Sequence, residues 1–290
     1  MKFALFGKQF SGQHREALSG VLDNLQQHEA EVLIEAGFHK YLSESLGIDV
    51  SSYASFEGGN VDADFAVSIG GDGTFLKVAT LLGAKQTPII GINTGRLGFL
   101  ADVPVAEAGR SLDALFAGSY DLRQHVALEI STDGDTSLGN PYALNDIAVL
   151  KRDNASMISI HAEIDKEYLT TYQADGLIVS TPTGSTAYSL SNGGPIIVPQ
   201  TGVLCLSPVA PHSLNIRPIV VSDDAEVVLK VESRSHNFLV AIDGRSVTLT
   251  EGMQITIRKA PFHVNVVRCY HRNYFSILRE KLMWGADKRI

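Results

Sequence analysis

The chain has 290 residues, 44% hydrophobic and 19% charged, with a formal net charge of −8. That balance is globular, not disordered, and the length suits one large or two ordinary domains. The charge sign and the lack of a basic block speak against nucleic-acid partners, and no apolar run reaches the ~18 residues of a membrane span.

In chain order, "KFALFG" opens as a strand; its apolar stretch is too short for a signal peptide. Residues 12–29 have a polar-faced helical pattern. "EVLIEA" is strand-like and "HKYLSESLG" helical. "DFAVSIGG" is a continuous apolar run, as expected of a strand buried on both faces. Phe75, Val78, Ala79 and Leu82 then recur at helical spacing. "TPIIGIN" is the next strand, and "PVAEAGRSLDALFAGS" a helix with its stop at Gly118. This alternation predicts an α/β domain with a parallel sheet over residues 1–122.

From Leu122 the pattern changes. "RQHVALEIST", "YALNDIAVLK", "MISIHAEID", "LIVSTPTG", "RPIVVS", "AEVVLKVES", "NFLVAID", "SVTLT", "MQITIRK" and "HVNVVRC" read as short strands separated by turns. They predict an all-β, sandwich-like domain over residues 123–270. The tail "NYFSILREKLMWG" returns to helical periodicity. Cys205 and Cys269 match no CxxC spacing and read as reduced thiols of a cytoplasmic protein. The histidines show no HExxH-type spacing, so no metal-ligating residues are assigned.

Three stretches carry chemistry. The first is Gly70, Gly71, Asp72, Gly73 and Thr74, at the end of a predicted parallel strand. Asp-Gly is common turn chemistry, and Asp or Thr can cap a helix. Ligands, however, bind at the carboxyl ends of such strands, where glycine amides and a helix N-terminus suit phosphate. Neither a Walker A loop nor GxGxxG is present. The second is "GINTGRLGFL", residues 91–100, a further glycine-rich strand end suggesting the other edge of one cleft. The third is "ADGLIVSTPTGSTAYSLSNGGPI", residues 174–196. Its hydroxyls do not alternate with apolar residues as in a solvated strand. With Tyr188 they suit a pocket for a polyhydroxylated, partly aromatic ligand.

These stretches, with "LNDIAV" at 144–149, resemble the NAD kinase family: GGDGT, NxGxLGFL, an Asn-acid pair and DGxxxSTPTGSTAYxLSxGGPI occur here in order. GGDGT alone is shared with phosphofructokinases and lipid kinases; the STPTGSTAY block is far more specific. The resemblance implies an N-terminal α/β domain, a C-terminal β-rich domain, and a tail (271–290) that packs back on the first. It implies phosphoryl transfer from ATP, with Mg²⁺, to the 2′-hydroxyl of the adenosine ribose of NAD. It marks Asp72 as the general base, with Gly73 and Lys77 near the ligand and Phe99 on the adenine side. Asn145 and Asp146 would hold ribose hydroxyls, and Asp175 would contact the dinucleotide. Thr183 and the run Thr186, Ala187, Tyr188, Ser189, Leu190 and Ser191 would wrap the NAD. Ser156, Gln173 and Arg245 depart from the family pattern, which leaves their contacts open. A homodimer or homotetramer built through the β domain is implied. The competing expectations are a lipid or sugar kinase sharing GGDGT, and a non-catalytic NAD-binding regulator. A lipid kinase should expose an apolar or basic membrane-binding face, and the sequence shows no such segment; a regulator would lose Asp72 or the phosphate loop, and both are intact.

Overall fold

A computed structural model describes residues 1–9, 14–95, 98–134, 137–152, 156–269 and 273–285. Positions 12–13 of the predicted first helix, and 271–272 and 286–290 of the predicted tail, lie outside the described residues. The chain divides into two compact units, Met1–Gln124 with Val264–Ile290, and His125–His263.

The first unit contains β1 (Lys2–Gly7), α1 (Arg15–Gln27), β2 (Glu31–Glu35), α2 (Ala36–Lys40), β3 (Ala54–Phe56), β4 (Phe65–Gly70), α3 (Asp72–Leu82), β5 (Ile89–Asn93), β6 (Val103–Pro104) and α4 (Ala108–Phe116). Its strands are parallel in the order β5-β4-β1-β2-β3, with β6 also on β5. Order reverses between β1 and β4, the kind of switch point beside which open α/β sheets bind ligands. All residues of β4 and β5 are buried, which explains their unbroken apolar runs. The buried face of α3 is Phe75, Val78, Ala79 and Leu82, as its periodicity predicts. Gly118, at φ +70°, follows the end of α4 in the left-handed conformation that glycine tolerates.

The second unit is antiparallel. After β7 (Tyr120–Thr132), which enters from the first unit, and β8 (Tyr142–Ala143) come β9 (Asp146–Lys151), β10 (Ile158–Ile164), β11 (Glu167–Ala174), β12 (Gly176–Ser180), α5 (Tyr188–Ser191), β13 (Val203–Val209), β14 (Ile219–Ser222), β15 (Val227–Glu232), β16 (Asn237–Ile242), β17 (Arg245–Thr250) and β18 (Gln254–Cys269); α6 (Tyr274–Leu282), the last element, belongs to the first unit. One sheet runs β14-β13-β12-β9-β16-β17, and β11-β10-β15-β18 form another array. Ile147, Val179 and Phe238 of the first share a core with Ile160, Leu229 and Ile255 of the second. This is the expected sandwich-like arrangement. β18 leaves this unit at His263 and pairs with β5 in the first through Val266 and Ile89.

Some elements differ from the sequence pattern. β3 and β6 are too short to show a period. β13 carries Pro208, which weakens a strand signal. "MQITIRK" and "HVNVVRC" belong to one strand, β18, continuous through Pro261. "YALNDIAVLK" is broken at Leu144–Asn145, and "LIVSTPTG" stops being strand at Ser180.

Candidate active site

In the first unit β4 ends at Gly70, and α3 starts two residues on with Asp72 in its first turn. A Cβ on Gly70 would meet Thr74 Oγ1 at 2.2 Å, so this glycine is needed for Thr74 to fold back. A Cβ on Gly71 or Gly73 would meet nothing within 4 Å. Those two border open space at the positive end of a helix, where an anion can approach the backbone. Lys77 is exposed further along α3.

The strand end of β5 supports this loop. Gly70 pairs with Asn93, and Thr94 N donates to Gly70 O at 3.0 Å. Buried Asn93 accepts from Gly95 N at 2.7 Å and donates to Ala101 O at 3.1 Å, tying down both ends of the intervening turn. That turn aims its amides at Asp72. Oδ1 accepts from Leu100 N (3.0 Å) and Ala101 N (2.9 Å), and Oδ2 from Phe99 N (2.9 Å). Lys281 Nζ of α6 donates to Oδ2 at 3.2 Å. A Cβ on Gly98 would lie 1.9 Å from Asp72 Oδ1, so only glycine allows this seat. Asp72 is therefore a fixed carboxylate and not a helix cap. The two glycine-rich strand ends do come together, as expected; Arg96 and Leu97 of the second lie outside the described residues.

In the second unit Asp146 opens β9 with Asn145 just before it, directly beside the end of β12 in the register Ser180↔Asp146. Thr181 Oγ1 donates to Leu144 O at 2.6 Å, and Thr181 N donates to Asn145 O at 2.9 Å. A Cβ on Gly184 would meet Asn145 O at 2.0 Å, so the turn after β12 lies flat on the Asn-acid pair. Sequence pattern marks Asp243 only as a turn residue. It sits in the Asp243-Gly244 turn of the β16–β17 hairpin, both residues at positive φ. Its carboxylate accepts from Leu144 N (2.7 Å), Asn145 N (2.8 Å) and Asp146 N (3.1 Å). The only available signal was the Asp-Gly pair between two strand runs.

Burial, then the Asp243 charge, pushes Asp146 up to about 7. Burial also raises Asp243, but the amides of residues 144–146 and the Arg245 charge oppose it. The amide donors favour the ionised form at Asp243, so Asp146 is the member that keeps a proton near neutrality.

The hydroxyl-rich segment is mostly self-satisfied. Thr183 Oγ1 bonds His125 Nδ1 at 2.8 Å; Ser185 Oγ donates to Pro182 O at 2.7 Å; Ser189 Oγ bonds Ser207 Oγ at 2.8 Å. A Cβ on Gly194 would meet Ser189 Oγ at 2.2 Å, so the close approach at "GGP" is to this hydroxyl. Tyr188 and Ser191 are exposed, and Thr186, Ala187 and Leu190 are half-buried. These five are the members of the predicted run that face outward in part.

Asp175 lies apart. It precedes β12, whereas Thr183 follows it, so five strand residues, about 16 Å, separate the two ends. Asp175 pairs with Lys151 at 2.7 Å. Lys151 lines an open cavity of about 990 Å³ with Ser156 and Gln173, so two of the departing positions share one surface. Gln173 Nε2 donates to Ser159 Oγ at 2.8 Å. Arg245 has a local task, donating to Asn140 O (3.0 Å) and Tyr142 O (2.8 Å). Among the described residues no group of three or more His, Cys, Asp or Glu side chains could hold a metal ion.

A parallel sheet with a glycine-bordered carboxylate at its strand ends, joined to a two-sheet β unit, defines an α/β protein of the nucleotide-handling class. Residues 22–120 match the ATP-NAD kinase N-terminal domain, and residues 144–269 the ATP-NAD kinase C-terminal domain. The chain is 50% identical over 290 residues to an NAD kinase of Bacteroides fragilis, and 40% identical over 292 residues to one of Cytophaga hutchinsonii, with all of each chain covered. A crystal structure of an NAD kinase from Archaeoglobus fulgidus in complex with ATP superposes with a TM-score of 0.77 at 28% identity, covering 99% of this chain and 100% of that one. Yeast NADH kinase complexed with NADH shares the fold, with a TM-score of 0.88 at 24% identity over 100% of this chain and 89% of that chain. The chain belongs to the NAD kinase family.

Proposed function

We propose that this protein phosphorylates NAD, moving the γ-phosphate of ATP to the 2′-hydroxyl of the adenosine ribose to give NADP. The observation that carries this reading is the Asp72 carboxylate, held by the amides of residues 99–101 at the edge of the open Gly71–Gly73 loop. The ribose hydroxyl gives its proton to Asp72 Oδ2 as its oxygen bonds the γ-phosphorus. The bond from that phosphorus to the β–γ bridging oxygen breaks, and ADP leaves. Such transfers have loose transition states, so positioning and charge neutralisation dominate. A general base contributes about 10²–10⁴-fold. A divalent ion such as Mg²⁺, when bound with ATP, would neutralise phosphate charge during the transfer.

Asn145, Asp146 and the outward members of residues 183–191 are assigned to NAD, with Tyr188 placed to stack. Asp175 is too far along β12 to join Thr183 at one ribose, so we assign it to the dinucleotide of a second copy. This supports a homodimer or homotetramer. Free Cys205 and Cys269 fit a cytoplasmic protein, and among the described residues no helix is long and apolar enough to cross a membrane. The test is incubation with MgATP and NAD, NADH, diacylglycerol or fructose 6-phosphate, followed by product identification. Phosphorylation of the lipid or sugar in place of NAD, or of nothing, overturns the proposal.

A further inference from the structure

The last helix carries a group that the reaction scheme above leaves unused. α6 is capped by Asn273, whose side chain accepts from Ser276 N at 2.9 Å, and it buries Ile277 and Leu278. Those contacts anchor it. Tyr274 and Lys281 are two helical turns apart, hence on one face. Both reach Phe99: the Tyr274 and Phe99 ring centroids are 6.0 Å apart, and Lys281 Nζ is 4.5 Å from the Phe99 centroid. Lys281 also donates to Asp72 Oδ2 at 3.2 Å. Just before α6, Arg268 of β18 donates to Phe99 O at 2.8 Å and pairs with buried Asp102. The C-terminal segment thus holds the Phe99 ring, the loop that carries it, and the candidate base.

We propose that Lys281 is a positioning residue for phosphoryl transfer, fixing the direction of Asp72 Oδ2 toward the acceptor hydroxyl. This rests on the NAD kinase reading. The terminal torsion of an aspartate is broad, and of the two oxygens Oδ2 is the less constrained by the loop, with one amide against two on Oδ1. Among the described residues, the amides on Asp72 all come from one loop, residues 99–101. Lys281 is the donor from a second element, and it braces the plane from another direction. The Lys281 and Asp72 side chains are 32% and 28% exposed, so their ion pair adds little to stability. Its value lies in aim, where an error near 1 Å costs on the order of 10²-fold in rate.

The test is a cycle of Lys281→Met, Asp72→Asn and the double variant, with Lys281→Arg as the conservative control. Lys281→Met should lower kcat roughly 10–100-fold while the KM for ATP moves less than about twofold. Lys281→Arg should recover most of the rate. In the Asp72→Asn background, Lys281→Met should cost nothing further, because it acts through Asp72. That comparison holds even if Lys281→Met also lowers the melting temperature, since a purely structural loss multiplies in both backgrounds. A wild-type protein that makes no NADP defeats the kinase reading. With an active wild type, three results overturn the Lys281 proposal alone: an unchanged kcat, a multiplicative loss in the double variant, or a faster Lys281→Met, which would make the lysine a latch.

Discussion

Asp72 has two tasks in one place: its carboxylate organises the turn at residues 98–101 and is the base of the proposed reaction. Asp72→Asn keeps the size but turns an NH₂ toward donors on one side. It should cost about 1–3 kcal/mol of stability from the mismatched hydrogen bonds and reduce turnover about 10²–10⁴-fold. Denaturant titration and steady-state rates check both. A variant that folds and turns over at the normal rate would leave Asp72 as a loop anchor only. Asp146 behaves differently, because burial raises it to about 7. A carboxyl raised on folding keeps its proton in the native state while the unfolded chain has lost it. Stability from this group is therefore present at low pH and falls as pH rises from about 4 to about 7, by at most about 4 kcal/mol. Asp146→Asn lacks this loss. Urea titrations from pH 5 to 8 should show the variant gaining on the wild type up to about pH 7, with a constant gap above. A gap that does not change with pH would place the Asp146 proton elsewhere.

Local patterns reported local structure well. The buried face of α3 follows from its apolar spacing, and β4 and β5 from their unbroken apolar runs. Function-bearing contacts were harder to read because they join distant segments. Asp243 holds the amides of residues 144–146 only because the β16–β17 hairpin delivers it there, and Lys281 reaches Asp72 only through the docking of α6. The segment after β12 divides in a way that the pattern does not show. Its hydroxyls suggested a ligand-facing surface, yet Thr181, Ser185 and Ser189 close hydrogen bonds inside the fold. The half-buried and exposed residues of this turn are what remains for a ligand, and Tyr188, 40% exposed, is the largest. Tyr188→Ala should therefore raise the KM for NAD by about tenfold, as loss of one stacking contact of about 1–1.5 kcal/mol implies. The KM for ATP should stay put. Damage to ATP binding alone would mean that this turn serves the donor nucleotide and that the NAD groups lie elsewhere.

The second unit presents an exposed apolar strand edge. β14 is an edge strand of its sheet, and Ile219 and Val220 on it are 36% and 45% exposed. Leu214, just before it, is 85% exposed. An exposed apolar edge invites pairing with another chain, and a symmetric partner is the usual occupant in soluble enzymes. Our proposed assignment of Asp175, a strand's length from Thr183, to the dinucleotide of a second copy would give that copy a chemical role as well. We therefore expect the full chain to run as a dimer or tetramer in light scattering, and specific activity to fall on dilution as copies separate. Ile219→Asp places a charge on the edge without touching Asp72, Asn145 or Asp146. It should shift the protein toward monomer and raise the KM for NAD, and high protein concentration should partly restore both. A monomer with full NAD affinity at every concentration would remove the assembly reading and leave the phosphoryl-transfer assignment standing.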